Sequence, residues 1–168
     1  MSFYRLILAV SLFALSTPSF ALINVGDSVP NLSWRTVDDT VVNLDEVKAS
    51  VKVLLYNGGF CGPCNSEFQE LVPKVKQFDG QSVEFISLSV AGWSSSSNPT
   101  VQFLKEWKAK HNIPFLVAAA PRNEGSQFFS KVYLPNVVIV DGSGKLAYKA
   151  INPGVSKLFA EVRKALAK

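Results

Sequence analysis

The chain has 168 residues, of which 48% are apolar and 18% charged, the profile of one soluble globular domain with a sizeable core. Its formal net charge of +4 comes from interspersed Lys and Arg, which allows mild attraction to acidic surfaces at most and excludes a nucleic-acid-binding stripe. No repeat at a period of about 20 to 50 residues and no long linker divides it.

The opening MSFYRLILAVSLFALSTPSFA carries one positive charge at Arg5, an apolar stretch from Leu6 to Leu15, and then Ser19-Phe20-Ala21. That layout predicts a secretory signal peptide over residues 1–21, cleaved after Ala21. The stretch is shorter than the roughly 18 to 20 residues that an uncleaved anchor needs, and no Cys near the cleavage site supports a lipid anchor. Residues 22–168 are expected to form one domain exported to the periplasm or a similar compartment where disulfides persist.

LSWRTV and TVVNL read as short strands joined at Asp38-Asp39, and VKVLLYN is a continuous apolar run of the kind buried on both faces of a sheet. A helix is predicted from Gly62 or Pro63 to about Phe78, with Phe68, Leu71, Val72 and Val75 as its apolar stripe. VEFISLSVA follows as a second buried strand, then the polar loop GWSSSSNP and a helix from about Thr100 to Lys110. FLVAAA reads as a short strand and Gly125 to Val132 as a short helix. NVVIV and KLAYKAI form a hairpin around the turn DGSG, and an amphipathic helix closes the chain from Val155 to Ala167. Strands alternating with helices and ending in a hairpin and helix indicate a three-layer α/β fold with a mixed central sheet.

The chemistry concentrates at the chain's two cysteines, Cys61 and Cys64, in the stretch LLYNGGFCGPCN. Their spacing lets them close a small disulfide ring, while Gly62 and Pro63 supply a tight bend and a residue suited to the first turn of a helix. Cys61 at a helix start faces unpaired N–H groups and the positive end of the helix dipole, which favour thiolate over thiol. A thiolate there attacks a substrate disulfide, and Cys64 attacks back from one turn further along. An inert bridge is the weaker reading, because so short a loop constrains little chain entropy. A structural zinc site needs four ligands, and two Cys with the single His111 do not supply them.

FCGPC after a buried strand resembles the active site of thioredoxin-fold proteins, and the flanking text resembles their exported TlpA-like branch and the related AhpC/TSA group. The likeness runs from VGDSVPNLSWRTVDDTVVNLDEVKASVKVLLYNGGFCGPCNSEF through NIPFLV and YLPNVVIVDGSGKL to the last helix. It implies a thioredoxin-like sandwich, a mixed sheet with helices on both faces and an N-terminal hairpin paired onto it. It also implies a cis proline at Pro135 opposite the cysteines, with the backbone of Leu134 pairing with substrate main chain. Phe60 stands where the family usually has Trp, Leu55 where thioredoxin has a buried Asp, and Gln69 where the helix proline falls, with Pro73 one turn later and a kink expected there. Glu67 matches a Glu of the exported branch that could tune the pair, although burial statistics favour an exposed helical Glu. His111 is expected to cap a helix end or face solvent, and Trp93 to anchor a surface loop as a half-buried aromatic, with a substrate-facing lip as the alternative.

The function these features imply is an exported thiol-disulfide oxidoreductase, monomeric and without a cofactor, which exchanges with protein thiols and disulfides and is recharged by a membrane protein. The Gly-Pro pair resembles reducing thioredoxin, so reduction of substrates is the expected direction. Three other readings stand against it. A thiol peroxidase of the same fold needs a Thr where Gly58 lies, a copper-binding module usually has three residues between its cysteines, where two stand here, together with a distant His, and an interaction domain would keep the pair as a vestige.

Overall fold

A computed structural model describes residues 22–168, so the expected signal peptide lies outside the described residues. The sheet grows around strand β3 (Val51–Gly58), where every position but Lys52 is buried. Its inner pairing is parallel to β4 (Val83–Ala91) on one side and antiparallel to β6 (Asn136–Val140) on the other. Beyond these lie β5 (Leu116–Ala119), parallel to β4, and β7 (Leu146–Ile151), antiparallel to β6. β1 (Ser33–Thr36) and β2 (Val41–Asn43) form the N-terminal hairpin, and β1 pairs antiparallel with β5. The seven strands run in the order β2-β1-β5-β4-β3-β6-β7.

Alternation along β3 and β6 divides the core in two. Val51, Val53, Leu55, Val137 and Ile139 face a layer made by α1 (Gly62–Leu71), α2 (Val101–His111) and α3 (Val155–Leu166). Leu54, Tyr56, Val138 and Val140 face Leu32, Trp34, Leu44 and Phe128, where 3-10 turns at Leu44–Glu46 and Glu124–Gln127 stand in for α-helices. One buried carboxylate ties the second layer together, because Trp34 Nε1 and Tyr56 OH both donate to Glu124 Oε1, at 2.9 and 2.8 Å. Those bonds join the N-terminal hairpin, β3 and the loop that leads to β6.

Two helical expectations change. The predicted helix over 62–78 keeps α geometry only to Leu71 and continues as a 3-10 segment over Val72–Phe78, because Pro73 has no N–H to donate to the preceding turn. The predicted short helix over 125–132 is a 3-10 turn over Glu124–Gln127, and the chain after it runs on without regular structure to β6. The remaining elements lie where periodicity places them, within a residue or two. α2 begins on a Thr100 side chain that accepts the Phe103 N–H at 3.1 Å, and it ends on Asn112 in the left-handed region at φ 51°.

Phe68 links α1 to the rest of its layer: it is fully buried and meets the Trp107 ring edge-on, with centroids 5.2 Å apart. Phe68→Ala is expected to lower stability by about 3–5 kcal/mol, the range for emptying a packed aromatic site. Urea denaturation measures this, and a loss under ~1 kcal/mol would show that α1 is held by something other than this core.

Candidate active site

β3 leaves the sheet at Gly58, and a turn carries the chain into α1, closed by the Cys61 N–H donating to Gly58 O at 3.0 Å. Gly59 in that turn has no room for a side chain. A Cβ there would lie 2.7 Å from both the Phe103 and Trp93 rings and 2.9 Å from Gly92 O. Cys61 is extended at φ −82° and ψ 104° and is the N-cap of α1, with Gly62 and Pro63 as the first two helical residues. Its sulfur accepts the Cys64 N–H at 3.1 Å. The two cysteines are joined in a disulfide with Cα atoms 5.2 Å apart.

The two sulfurs have unlike surroundings. Cys61 opens on a groove of about 550 Å³ shared with Phe60, Pro63, Ala91, Arg122, Tyr133 and Leu134. Cys64 is wholly buried in the helical layer with Leu55 and Phe68. Leu55, buried beside it, makes the floor under Cys64 apolar. The opposite wall of the groove is the loop before β6, and the Leu134–Pro135 peptide in it is cis. Leu134 approaches the end of β3, with its Cδ1 3.4 Å from where a Gly58 Cβ would be. Phe60 stands 47% exposed as one lip of the groove.

Glu67 differs from the exposed helical Glu that burial statistics favour. It is 7% exposed, one turn beyond Cys64 on α1, and its Oε1 has no hydrogen-bond partner among the described residues. Burial raises its carboxyl to about 7, and the negative charge of Glu70 adds to the effect. A shallow hollow lined by Pro63, Glu67, Glu70, Asn152 and Gly154 connects this carboxyl to solvent.

His111 is also a correction, since it is only 7% exposed although it does close α2. Its ring packs on Trp107 at 4.2 Å, and its Nε2 lies 3.2 Å from Asn65 Oδ1. Burial and the adjacent Lys110 charge lower its pKa. Asn65 Oδ1 also accepts from Lys110 Nζ at 2.7 Å, while Asn65 Nδ2 donates to Cys61 O at 2.8 Å. Asn65 therefore braces the turn that presents Cys61. Trp93 is 45% exposed, packs edge-on against Phe103 at 5.0 Å, and donates through Nε1 to Glu106 at 2.8 Å. It is a half-buried anchor that also reaches the edge of the site through Gly59.

Sequence reasoning missed three features. Asn57, Ser87, Ser89 and Trp107 form a buried polar network: Asn57 Nδ2 donates to Ser87 Oγ at 2.9 Å, Ser89 Oγ to Asn57 Oδ1 at 2.8 Å, and Trp107 Nε1 to Ser87 Oγ at 3.2 Å. The alternating serines of ISLSV within a buried strand were a signal for it. Asn65 and the groove residues Arg122, Val132 and Tyr133 carried no local signal. Among the described residues no group of three or more His, Cys, Asp or Glu could hold a metal, and no helix is long and apolar enough to cross a membrane.

This chain is 23% identical over 124 residues to the thiol-disulfide oxidoreductase ResA of Bacillus subtilis (strain 168), a match over 74% of this chain and 65% of that protein. Among solved structures it superposes on a thiol:disulfide interchange protein, thioredoxin family protein from Chlorobium tepidum TLS, at TM-score 0.68 and 20% identity, covering 87% of this chain and 99% of that one. A thiol:disulfide interchange protein from Bacteroides sp. matches at TM-score 0.69 and 15% identity, over 87% and 92% of the two chains. These likenesses make the fold thioredoxin-like. The AhpC/TSA family model matches residues 25–149, strands β1 to β7 through Lys149 with the disulfide between them, and the chain belongs to the AhpC/TSA family.

Proposed function

We propose that the protein is an exported thiol-disulfide oxidoreductase that reduces disulfides in other proteins through Cys61. The observation that carries this reading is the asymmetry of the pair: Cys61, 6% exposed, caps a helix with its sulfur and lines an open groove, while Cys64 is wholly buried behind it. In the dithiol state the α1 N–H groups and dipole stabilise a Cys61 thiolate, whereas the apolar surroundings of Cys64 hold it as a thiol. The Cys61 thiolate attacks one sulfur of a substrate disulfide, forming a mixed disulfide and releasing the other substrate sulfur as a thiolate that takes up a proton. Cys64 then loses its proton, attacks Cys61 Sγ, and releases the second substrate thiolate. Two electrons pass to the substrate, and the Cys61–Cys64 disulfide of the structure is the product.

Glu67, three residues beyond Cys64 on the same buried face of α1 and without a hydrogen-bond partner at Oε1 among the described residues, is the group we assign to accept the Cys64 proton, and its carboxyl, raised to about 7, suits that task near neutral pH. The cis Leu134–Pro135 segment offers its backbone to an extended substrate across the groove. A dedicated membrane donor returns the pair to dithiol, and the protein works as a monomer. The ResA relative, by its name a thiol-disulfide oxidoreductase, supports this reading of the site.

Incubated reduced with a disulfide-containing protein, Cys64→Ser is expected to accumulate a mixed disulfide at Cys61 that resolves slowly or not at all. Cys61→Ser should give no adduct. Non-reducing electrophoresis reads this, and an adduct formed through Cys64 instead would assign the roles the other way. The Glu67 carboxyl makes a separate prediction. A carboxyl raised in the fold from its ordinary 4.5 to about 7 opposes folding once ionised, so stability falls as pH climbs through that window and the whole penalty stands above it. Glu67→Gln is thus expected to be more stable than the parent at pH 8 by up to roughly 3 kcal/mol and equal to it near pH 4. Urea midpoints at the two pH values test this, and a difference that does not change with pH would remove Glu67 from the ionising groups that matter.

A further inference from the structure

The groove beside Cys61 is bordered by most of the large apolar side chains that this protein leaves in water. Seven such side chains are exposed among the described residues, and four of them gather here: Phe60, Trp93, Val132 and Tyr133. Phe60, Val132 and Tyr133 line the groove itself, and Trp93 abuts Gly59 in the turn before Cys61. A patch of this kind around a reactive sulfur is a surface for another polypeptide. One charged residue lines the groove, Arg122.

Arg122 is held in place without being neutralised. Its Nη1 donates to Ser95 O and its Nη2 to Ser97 O at 3.0 Å, so the guanidinium is clamped to the loop that carries Trp93. Two backbone carbonyls leave three of its five N–H donors without an acceptor among the described residues. The ion pairs among those residues are Arg35–Asp39, Lys74–Glu70, Lys157–Glu161 and Lys164–Glu161, and Arg122 belongs to none. No ion pair among the described residues joins Arg122 to the charged groups beside the Trp93 loop. Lys110 lies 5.0 Å over the Trp93 ring, and Glu106 already accepts from Trp93 Nε1 and Gln102 Nε2, both at 2.8 Å.

A fixed guanidinium with free donors, set in an apolar groove, matches a carboxylate better than any neutral group. Building on the thiol-exchange reading, we infer that Arg122 selects substrates: the preferred partner is an extended protein segment whose disulfide-bonded Cys has an acidic side chain within a residue or two and apolar side chains beside it. The acidic side chain pairs with Arg122 while the apolar ones rest on Phe60, Val132 and Tyr133. Arg122 takes no part in electron transfer and acts on which disulfide reaches Cys61.

The test uses model peptides with one Cys capped as a mixed disulfide with 2-mercaptoethanol and with Asp, Asn or Lys at each of the two positions on either side. Release of 2-mercaptoethanol is followed with the reduced protein in single turnovers. At one position at least, Asp is expected to react about fivefold faster than Asn and Lys slower still, a preference that shrinks as salt is added. Arg122→Gln should level the three rates, and Arg122→Glu should invert their order, a reversal that mere loosening of the 93–97 loop does not produce. Equal rates for Asp, Asn and Lys peptides in the parent protein, or an acid preference that survives Arg122→Glu, overturns the inference while leaving thiol exchange intact. Failure to react with any of the peptides overturns the thiol-exchange reading and this one with it.

Discussion

The Cys64 N–H donates to Cys61 Sγ at 3.1 Å, so one sulfur both caps α1 and faces the groove. Everything else at the site follows from holding that contact. β3 must end inside the sheet, between β4 and β6 and buried on both faces, so that its C-terminal end delivers the chain to a fixed point. The turn must be narrow, which Gly59 permits by leaving space for Trp93 and Phe103. α1 must be anchored behind it, and Phe68 and Leu71 supply that anchor against the layer of α2 and α3. Asn65 then ties the helix back to Cys61 O, with Lys110 and His111 bonded to its other end.

Beyond the buried network of Asn57, Ser87, Ser89 and Trp107, polar groups are few around this core. The floor beneath Cys64 is apolar, Leu55 included, and the one ionisable group buried in α1 near the pair is Glu67. On the far face of the sheet, Glu124 collects hydrogen bonds from Trp34 and Tyr56 and fixes the start of the loop that becomes the groove's second wall. Burial raises the Glu124 carboxyl and the two donors pull it back down, so its ionised form is partly compensated in a way that Glu67's is not. Two buried carboxylates are thus distinguished by their partners rather than by their residue type.

The sequence made the cysteine pair, its helix start and the succession of strands and helices along the chain legible because each rests on local signals: a continuous apolar run, two glycines, Gly-Pro between cysteines, and a DGSG turn. The order of the strands in the sheet is set by long-range pairing and was not legible. Pattern alone could not settle burial along α1. Glu67 falls at the i+3 place of the buried set that Cys64, Phe68 and Leu71 define, but its polarity argued for the solvent edge of that stripe. His111 misled for a similar reason, since it does end a helix while its ring is drawn inward by Trp107 and Asn65, one of them a turn away and the other on a different element. The placement of Arg122 was invisible because it depends on a loop of serines 25 to 27 residues earlier in the chain, joined to it only by the fold.

The central claim is that Cys61–Cys64 is an exchangeable couple rather than a fixed staple, and an electron donor when reduced. A glutathione titration of the protein, with thiol trapping of the pair and Cys61→Ser as the blank, tests it most directly. The account predicts a potential near thioredoxin's, about −270 mV. A pair that stays oxidised below about −300 mV would be a structural bridge, and one near −120 mV would be an oxidant; either value contradicts the account.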